Sequence, residues 1–269
     1  MPKTVSLVLS PQKAADPQAI VKALARQTGH PVQVDQYRIA RRSIDARKRP
    51  VRVNLSVDVY ADGEVSVPEL PDFNYRDVRQ APPVVVVGTG PAGLFAALRL
   101  LEIGLKPIVV ERGKAVGPRR RDVAALNRRG LLNTESNYAF GEGGAGTFSD
   151  GKLYTRSKKR GDHRRVLQCF CRHGADPAIL YEAHPHIGSN RLPGIVQAMR
   201  ETIVEHGGEI FFQQQVTGLW IRDGRAMGVM LKDGGRLDGR AVVLATGHSA
   251  RDIYSLLAEK NVALEAKPF

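Results

Sequence analysis

Residues 84–93 read VVVVGTGPAG: four consecutive valines, then glycines at 88, 90 and 93. The valines predict a strand buried on both faces, as in a parallel sheet, because no polar residue alternates with them. Glycine is common in this chain, 27 of 269 residues, so the Gly-x-Gly-x-x-Gly spacing alone is a weak signal. Its neighbours supply the context. PAGLFAALRLLEIG (91–104) predicts a helix with Leu94, Ala97, Leu98 and Leu101 on one stripe and Gly104 as its stop. PIVVE (107–111) is a second β-branched strand, which closes a β-α-β unit on Glu111.

A phosphate-binding turn between strand and helix makes three demands on glycine. The first glycine allows the tight turn, the second a close backbone approach to a pyrophosphate, and the third the packing of helix on strand. Gly88, Gly90 and Gly93 have that spacing, with Pro91 and Ala92 opening the helix. Glu111 stands 18 residues past Gly93, where an acid that binds a ribose hydroxyl is expected. The reading is a dinucleotide site; a buried strand with a plain flexible turn leaves the position of Glu111 unexplained.

Outward from this unit, the chain divides. Before it, TVSLVLS (4–10) predicts a strand, and Asp16 caps a helix over 17–28 that starts on Pro17 and stops at Gly29. QVDQYRIARRSIDARK and VRVNLSVDVYAD follow as extended segments, the second alternating Val51, Val53, Leu55 and Val57. This is a small α+β domain of the β-α-β-β type, assigned to residues 1–80. It ends in a linker passage punctuated by Pro68, Pro71, Pro82 and Pro83. After the β-α-β unit, helical patterns run over 118–129 and 192–206, then a strand over 209–215. A β-meander with turns at RDGR (222–225) and KDGG (232–235) leads to a last apolar strand, AVVLATG (241–247). The fold class is α/β: a Rossmann-like domain over 81–269, with a parallel sheet and a β-meander, and with part of a substrate or cap region inserted around 150–205.

The charge is uneven. The chain holds 40 basic and 27 acidic residues, and +8 of its net +13 falls in residues 81–160. A basic surface attracts anions of every kind, from phosphorylated cofactors to nucleic acid, and is as well explained as a solvated face. The apolar runs fall far short of the ~20 residues a membrane helix needs. The first residues, MPKTVSLVLSPQ, lack a signal peptide's apolar region. Two cysteines, Cys169 and Cys171, are too few for a disulfide framework, and a reducing cytoplasm is the expected compartment.

NYAFGEGGAGTFSDGKLYTR (137–156) holds Gly141, Gly143, Gly144 and Gly146 in a short span, flanked by Phe140, Phe148 and Tyr154. Such a run brings backbone close to a flat ligand and offers it N–H donors. The Glu111-Arg112-Gly113 ending resembles the FAD-binding fold of the glutathione-reductase-like flavoproteins. In those proteins a strand placed like QQQVTGL meets the adenine through its backbone, here at Val216, and an Ala-Thr-Gly segment placed like Ala245-Thr246-Gly247 passes near the FAD. The β-α-β unit, FGEGGAGTFSDGKLYTR, HPHIGSNRL, LATGHSARD and the leading RRSIDARKRPVRVNLSVDVY are together similar to a bacterial family of uncharacterised FAD-dependent dehydrogenases. Where that family commonly has Asp after Pro-His-Ile-Gly-Thr, this chain has Asn190 after Ser189. Arg119 matches an arginine that commonly follows the family's Glu-Arg-Gly, and family members run on well past Phe269, so the chain is expected to be an N-terminal part of a longer protein.

The resemblance implies bound FAD, with NAD(P)H as a candidate electron donor. It places Gly88, Gly90, Pro91, Ala92, Gly93, Glu111, Arg112, Arg119, Gly143, Gly144, Ala145, Val216, Ala245, Thr246 and Gly247 at the cofactor. Arg119-Arg120-Arg121 open a helix whose dipole disfavours cations there, which makes anion contact a reading for Arg119. Lys152 is a weak candidate for the flavin's pyrimidine end. His186, with His184, is a weak candidate for the substrate side; an ordinary loop role serves both histidines as well. Cys-Phe-Cys with His173 has no partner pair and reads as core packing rather than a metal site. The function expected is an FAD-dependent oxidoreductase passing a hydride or electron pair to an unknown substrate or redox partner. The alternatives are a flavin-dependent RNA-modifying protein, which the +4 charge of residues 1–80 and their lack of an RNA-binding aromatic pattern weaken, and a non-catalytic FAD scaffold.

Overall fold

The computed structural model describes residues 2–61, 70–153, 161–188 and 190–266. Pro68, Tyr154, Ser189 and Phe269 lie outside the described residues. The chain forms two compact units, one of Met1–Pro71 with Lys152–Ile187, the other of Asp72–Gly151 with Gly188–Phe269.

The first unit starts with β1 (Lys3–Leu9), the short α1 (Pro11–Ala14) and α2 (Pro17–Thr28). Asp16 accepts from the Gln18 N–H, and Gly29 ends α2 at φ 80°, a left-handed cap that glycine takes without strain. β2 (Tyr37–Asp45) and β3 (Arg52–Val59) complete an antiparallel sheet of order β1-β3-β2, so the last strand is the central one. The alternation in β3 turns Val53, Leu55 and Val57 inward, where they pack with Val5, Leu7, Ile20 and Leu24. β2 is shorter than the extended stretch expected, because Val34–Gln36 makes a 3-10 turn ahead of it. α1 was not foreseen; Ser10 caps it and Pro11 opens it, a start signal in only four helical residues.

The second unit builds on β4 (Pro83–Val87), with Val84–Val87 all buried as the valine run predicts. α3 (Pro91–Glu102) buries Leu94, Ala97, Leu98 and Leu101 on one stripe, and β5 (Lys106–Glu111) pairs parallel to β4. α4 (Val116–Arg129) follows. The chain then supplies α5 (His163–Arg172) to the first unit, where Arg42 and Glu182 form a parallel bridge. Back in the second unit come α6 (Leu192–Glu205) and β6 (Glu209–Phe212). The strand expected to Gln215 stops at Phe212, since Gln213 turns to φ 59° and its N–H donates to Gly113 O.

β7 (Val216–Arg222), β8 (Arg225–Leu231) and β9 (Arg236–Asp238) form the meander. Asp223 and Gly224, both at positive φ, make the two-residue hairpin turn that the Asp-Gly pair predicts. β10 (Val242–Leu244) is shorter than the seven residues expected and completes the parallel order β10-β4-β5-β6; α7 (Arg251–Glu259) ends the unit. As an edge strand β10 is only partly buried, unlike β4, which has a neighbour on each side.

Candidate functional site

The carboxyl ends of β4, β5 and β10 meet at one edge of the parallel sheet, where open α/β sheets bind ligands. A cavity of about 660 Å³ opens there. That volume suits a cofactor-sized ligand. Gly88, Gly90, Pro91 and Ala92 line its floor, Gly144 and Ala145 face them, and Ala245, Thr246 and Gly247 run along β10's end. Glu111, Arg112 and Val216 line it too.

Each glycine of the opening motif has a distinct physical reason. Gly88 turns at φ 106°, and a side chain there would sit 2.5 Å from Ala245 O. A Cβ on Gly93 would overlap the Gly88 carbonyl oxygen and lie 2.9 Å from its carbon, so Gly93 faces the strand and not the cavity. Gly90 meets nothing nearer than Gly144 Cα at 3.9 Å. It leaves open the space in front of α3, whose first hydrogen bond runs from Leu94 N–H to Gly90 O. Ala92 and Gly93 therefore have no intrahelical acceptor for their N–H groups, and the helix dipole adds partial positive charge there. Two glycine-walled faces and a helix N-terminus fit the pyrophosphate of a dinucleotide.

Glu111, in the cavity lining, also ties the surrounding loops. It is buried, and its two oxygens accept from Thr89 N–H at 2.9 Å, the Thr89 hydroxyl at 2.7 Å, Gly113 N–H at 2.8 Å and Gly141 N–H at 3.0 Å. Four donors match the lone-pair capacity of a carboxylate. The carboxylate ties the phosphate loop, the turn after β5 and the glycine run together, and these contacts are a second reason for an acid at the end of an apolar strand. Arg112 is held at the cavity wall by Glu135 (2.7 Å) and Asp252 (3.1 Å) and lies over the Phe140 ring at 4.3 Å.

Arg119 departs from its expected role. It is fully buried, does not line the cavity and contacts no anionic ligand site. Its Nε donates to Asn137 O (3.0 Å), Nη1 to Glu142 O and Gly141 O (2.6 and 3.2 Å), and Nη2 to Tyr138 O and Gly144 O (3.1 and 2.8 Å). Five carbonyls thus converge on one guanidinium and fold residues 137–144 around it. Burial lowers its pKa to about 10, which leaves it charged at neutral pH. Gly143 also sits behind the cavity wall: its N–H donates to Thr89 O at 2.9 Å, and a Cβ would meet Thr147 Oγ1 and Val196.

Glu142 was missed in the sequence. Its fully buried carboxylate accepts from Val116 N–H at 2.6 Å and pairs with Arg200 at 3.2 Å. Ala115 offers no capping side chain to α4, so Glu142 supplies the cap from 26 residues away and sets negative charge where the dipole of α4 favours it. This answers how α4 tolerates arginines in its first turn. The one available signal was a lone acid inside a glycine run. Burial pushes its carboxyl above the ordinary 4.5, with the Val116 N–H and Arg200 opposing. A raised native pKa stabilises the fold fully below 4.5, and that contribution is lost as pH rises through the native value. Glu142→Gln, which stays neutral, is expected to flatten this slope: denaturant melts at pH 7 and pH 5 should show wild type gaining on the variant at the lower pH.

Lys152 and His186 are exposed and pair as an antiparallel bridge within the first unit; neither lines the cavity. His184 is exposed as well. Cys169 is buried beside His173 in α5, with Sγ 3.7 Å from Nδ1, and burial pushes the Cys171 thiol up to about 11. Among the described residues no group of three His, Cys, Asp or Glu side chains could hold a metal ion, and no helix is long and apolar enough to cross a membrane.

Comparison with known proteins gives three family matches. Residues 1–60 match a domain of unknown function, residues 83–125 an FAD binding domain, and residues 184–268 an FAD dependent oxidoreductase family. An uncharacterized protein of Clostridium beijerinckii is 42% identical over 248 residues, 86% of this chain and 46% of that protein. Mitochondrial dihydrolipoyl dehydrogenase of Sus scrofa is 29% identical over 83 residues, 31% of this chain and 16% of that enzyme. The chain thus spans less than half the length of either relative. Among solved structures, Thermovibrio ammonificans THI4 is similar at 17% identity with a TM-score of 0.43, over 69% of this chain and 65% of that one.

Proposed function

We propose that the chain, whose residues 83–125 match an FAD binding domain and residues 184–268 an FAD dependent oxidoreductase family, is the cofactor-holding part of a dehydrogenase that draws its electrons from NAD(P)H or a substrate and passes them on through FAD. The observation that carries this reading is the cavity at the sheet edge, walled by Gly88 and Gly90 on one side and Gly144 on the other. When bound, FAD supplies the acceptor for a hydride or an electron pair. The chain's own residues do the holding. The N–H groups at the start of α3 face the pyrophosphate, and Gly90 and Gly144 leave room for its oxygens. The apolar Val216 and the Arg112–Asp252 pair bound the adenosine end. Glu111 and Arg119 fix the loops on which these contacts depend. Two cysteines, too few for a disulfide framework, suit a reducing cytoplasm.

The test is the absorbance spectrum of the purified protein, with flavin measured after denaturation. About one FAD per chain is expected, and a colourless protein releasing none overturns the reading. Stopped-flow reduction by NADH and by NADPH then separates a dehydrogenase from a scaffold, since a scaffold accepts electrons from neither.

A further inference from the structure

Beside the cofactor cavity lies a second one of about 460 Å³, and Arg112, Gln214 and Gln215 line both. No role described so far uses Asn133, Ser136 or Lys232 of its remaining lining. We propose that it is a separate binding site for an oxyanion, a phosphate or a group of like shape, either free or carried on a small polar molecule.

The balance of donors carries the inference. Ser136 lines the cavity with 2% exposure, and its hydroxyl has no partner among the described residues. Buried hydroxyls are almost always hydrogen-bonded, so an orphan in the lining of a polar cavity calls for an acceptor from outside the protein. Asn133 uses its carbonyl oxygen on the Glu135 and Ser136 N–H groups, and among the described residues its amide N–H donors have no acceptor. The cations divide in the same way. Arg112 is neutralised by Glu135 and Asp252, and Lys114 by Asp122. Lys232 is paired with no acid among the described residues and remains as the charge an anion would meet. Of the two lining acids, Glu135 is bound to Arg112, while Asp233 lies exposed in the β8–β9 turn with one oxygen on the Gly235 N–H. A hydroxyl, an amide and an ammonium in the lining of one small space make a set that an acceptor-rich group satisfies. The volume admits a group up to the size of a nucleoside monophosphate.

The inference does not rest on the flavin reading, and its test keeps the two apart. Inorganic phosphate, then adenosine monophosphate, is titrated calorimetrically into the whole chain, first with excess FAD present and then without, while bound flavin is measured separately. Saturable binding that persists with FAD present is expected. Lys232→Ala and Ser136→Ala should each weaken it about five- to tenfold, with unchanged melting temperatures and flavin content. Tighter binding of the monophosphate identifies an ester-borne phosphate, and tighter binding of inorganic phosphate a free one. Absence of binding at ~10 mM, affinities that neither variant changes, or monophosphate binding abolished by FAD would each overturn the proposal.

Discussion

Arg119→Ala is expected to lower the stability of the second unit by about 3–5 kcal/mol, the usual penalty for removing one partner of a buried charged network. Single domains are stable by only about 5–15 kcal/mol, so this is roughly a fifth of the total or more. The argument rests on what stays behind. Without the guanidinium, the carbonyls of Asn137 and Tyr138 lose their donor, and those of Gly141, Glu142 and Gly144 keep only the Gly144 N–H and the Thr147 hydroxyl and N–H. Gly141, at φ 115°, packs its backbone on the Arg119 side chain, where a Cβ would overlap Cδ. The loop should therefore let go of the cavity wall at Gly144 and Ala145, and FAD retention should fall together with stability. Arg119→Lys separates charge from geometry. An ammonium has three donors on a flexible stem and cannot reach five carbonyls arranged in a plane. It should recover less than half of the loss in a urea melt. Full recovery by lysine would show that the buried charge alone matters and that the fork of donors does not.

What the sequence disclosed divides by the range of the interaction. The four valines and the leucine stripe of α3 state their burial through local periodicity, and the glycine spacing states a turn because strand, turn and helix are consecutive. Asp223-Gly224 and Asp16 were legible for the same reason: each acts on backbone within a few residues of itself. The roles of Glu111, Arg119 and Glu142 were incompletely read or missed because most of their partners lie 18 or more residues away, from Asn137 for Arg119 to Arg200 for Glu142. An arginine in the first turn of a helix signals only a conflict with the dipole. That the conflict is resolved by burial against carbonyls, and by an acid brought in from a glycine run, requires the folded loop. Strand ends failed differently. β6 stops early because hydrogen bonding passes to the neighbouring turn, where Gln213 N–H meets Gly113 O, and β10 is cut to three residues although Ala245 N–H still meets Val87 O of β4; residue type does not mark either change.

The glycines of the opening motif allow the sharpest contrast between folding and binding. Gly93→Ala places a methyl carbon on the Gly88 carbonyl, which is backbone at the end of a fully paired central strand and cannot move aside. Helix α3 must shift away from β4, Leu94 and Ala97 lose part of their packing, and a loss of about 2–4 kcal/mol is expected, comparable to severe overpacking. Flavin binding then fails because the phosphate turn has lost its shape. Gly90→Val acts by another route. Its backbone is at φ −66°, open to any residue, and the nearest atom to a Cβ is 3.9 Å away, so the unliganded fold should melt within about 0.5 kcal/mol of wild type. The valine instead fills the space in front of the α3 N-terminus where the pyrophosphate oxygens would lie. FAD content should drop at least tenfold in a protein with unchanged circular dichroism and melting temperature. If Gly90→Val kept a full complement of flavin, the pyrophosphate would have to lie elsewhere in the cavity. If Gly93→Ala melted like wild type, the contact between α3 and β4 would not be the rigid one that the parallel sheet implies.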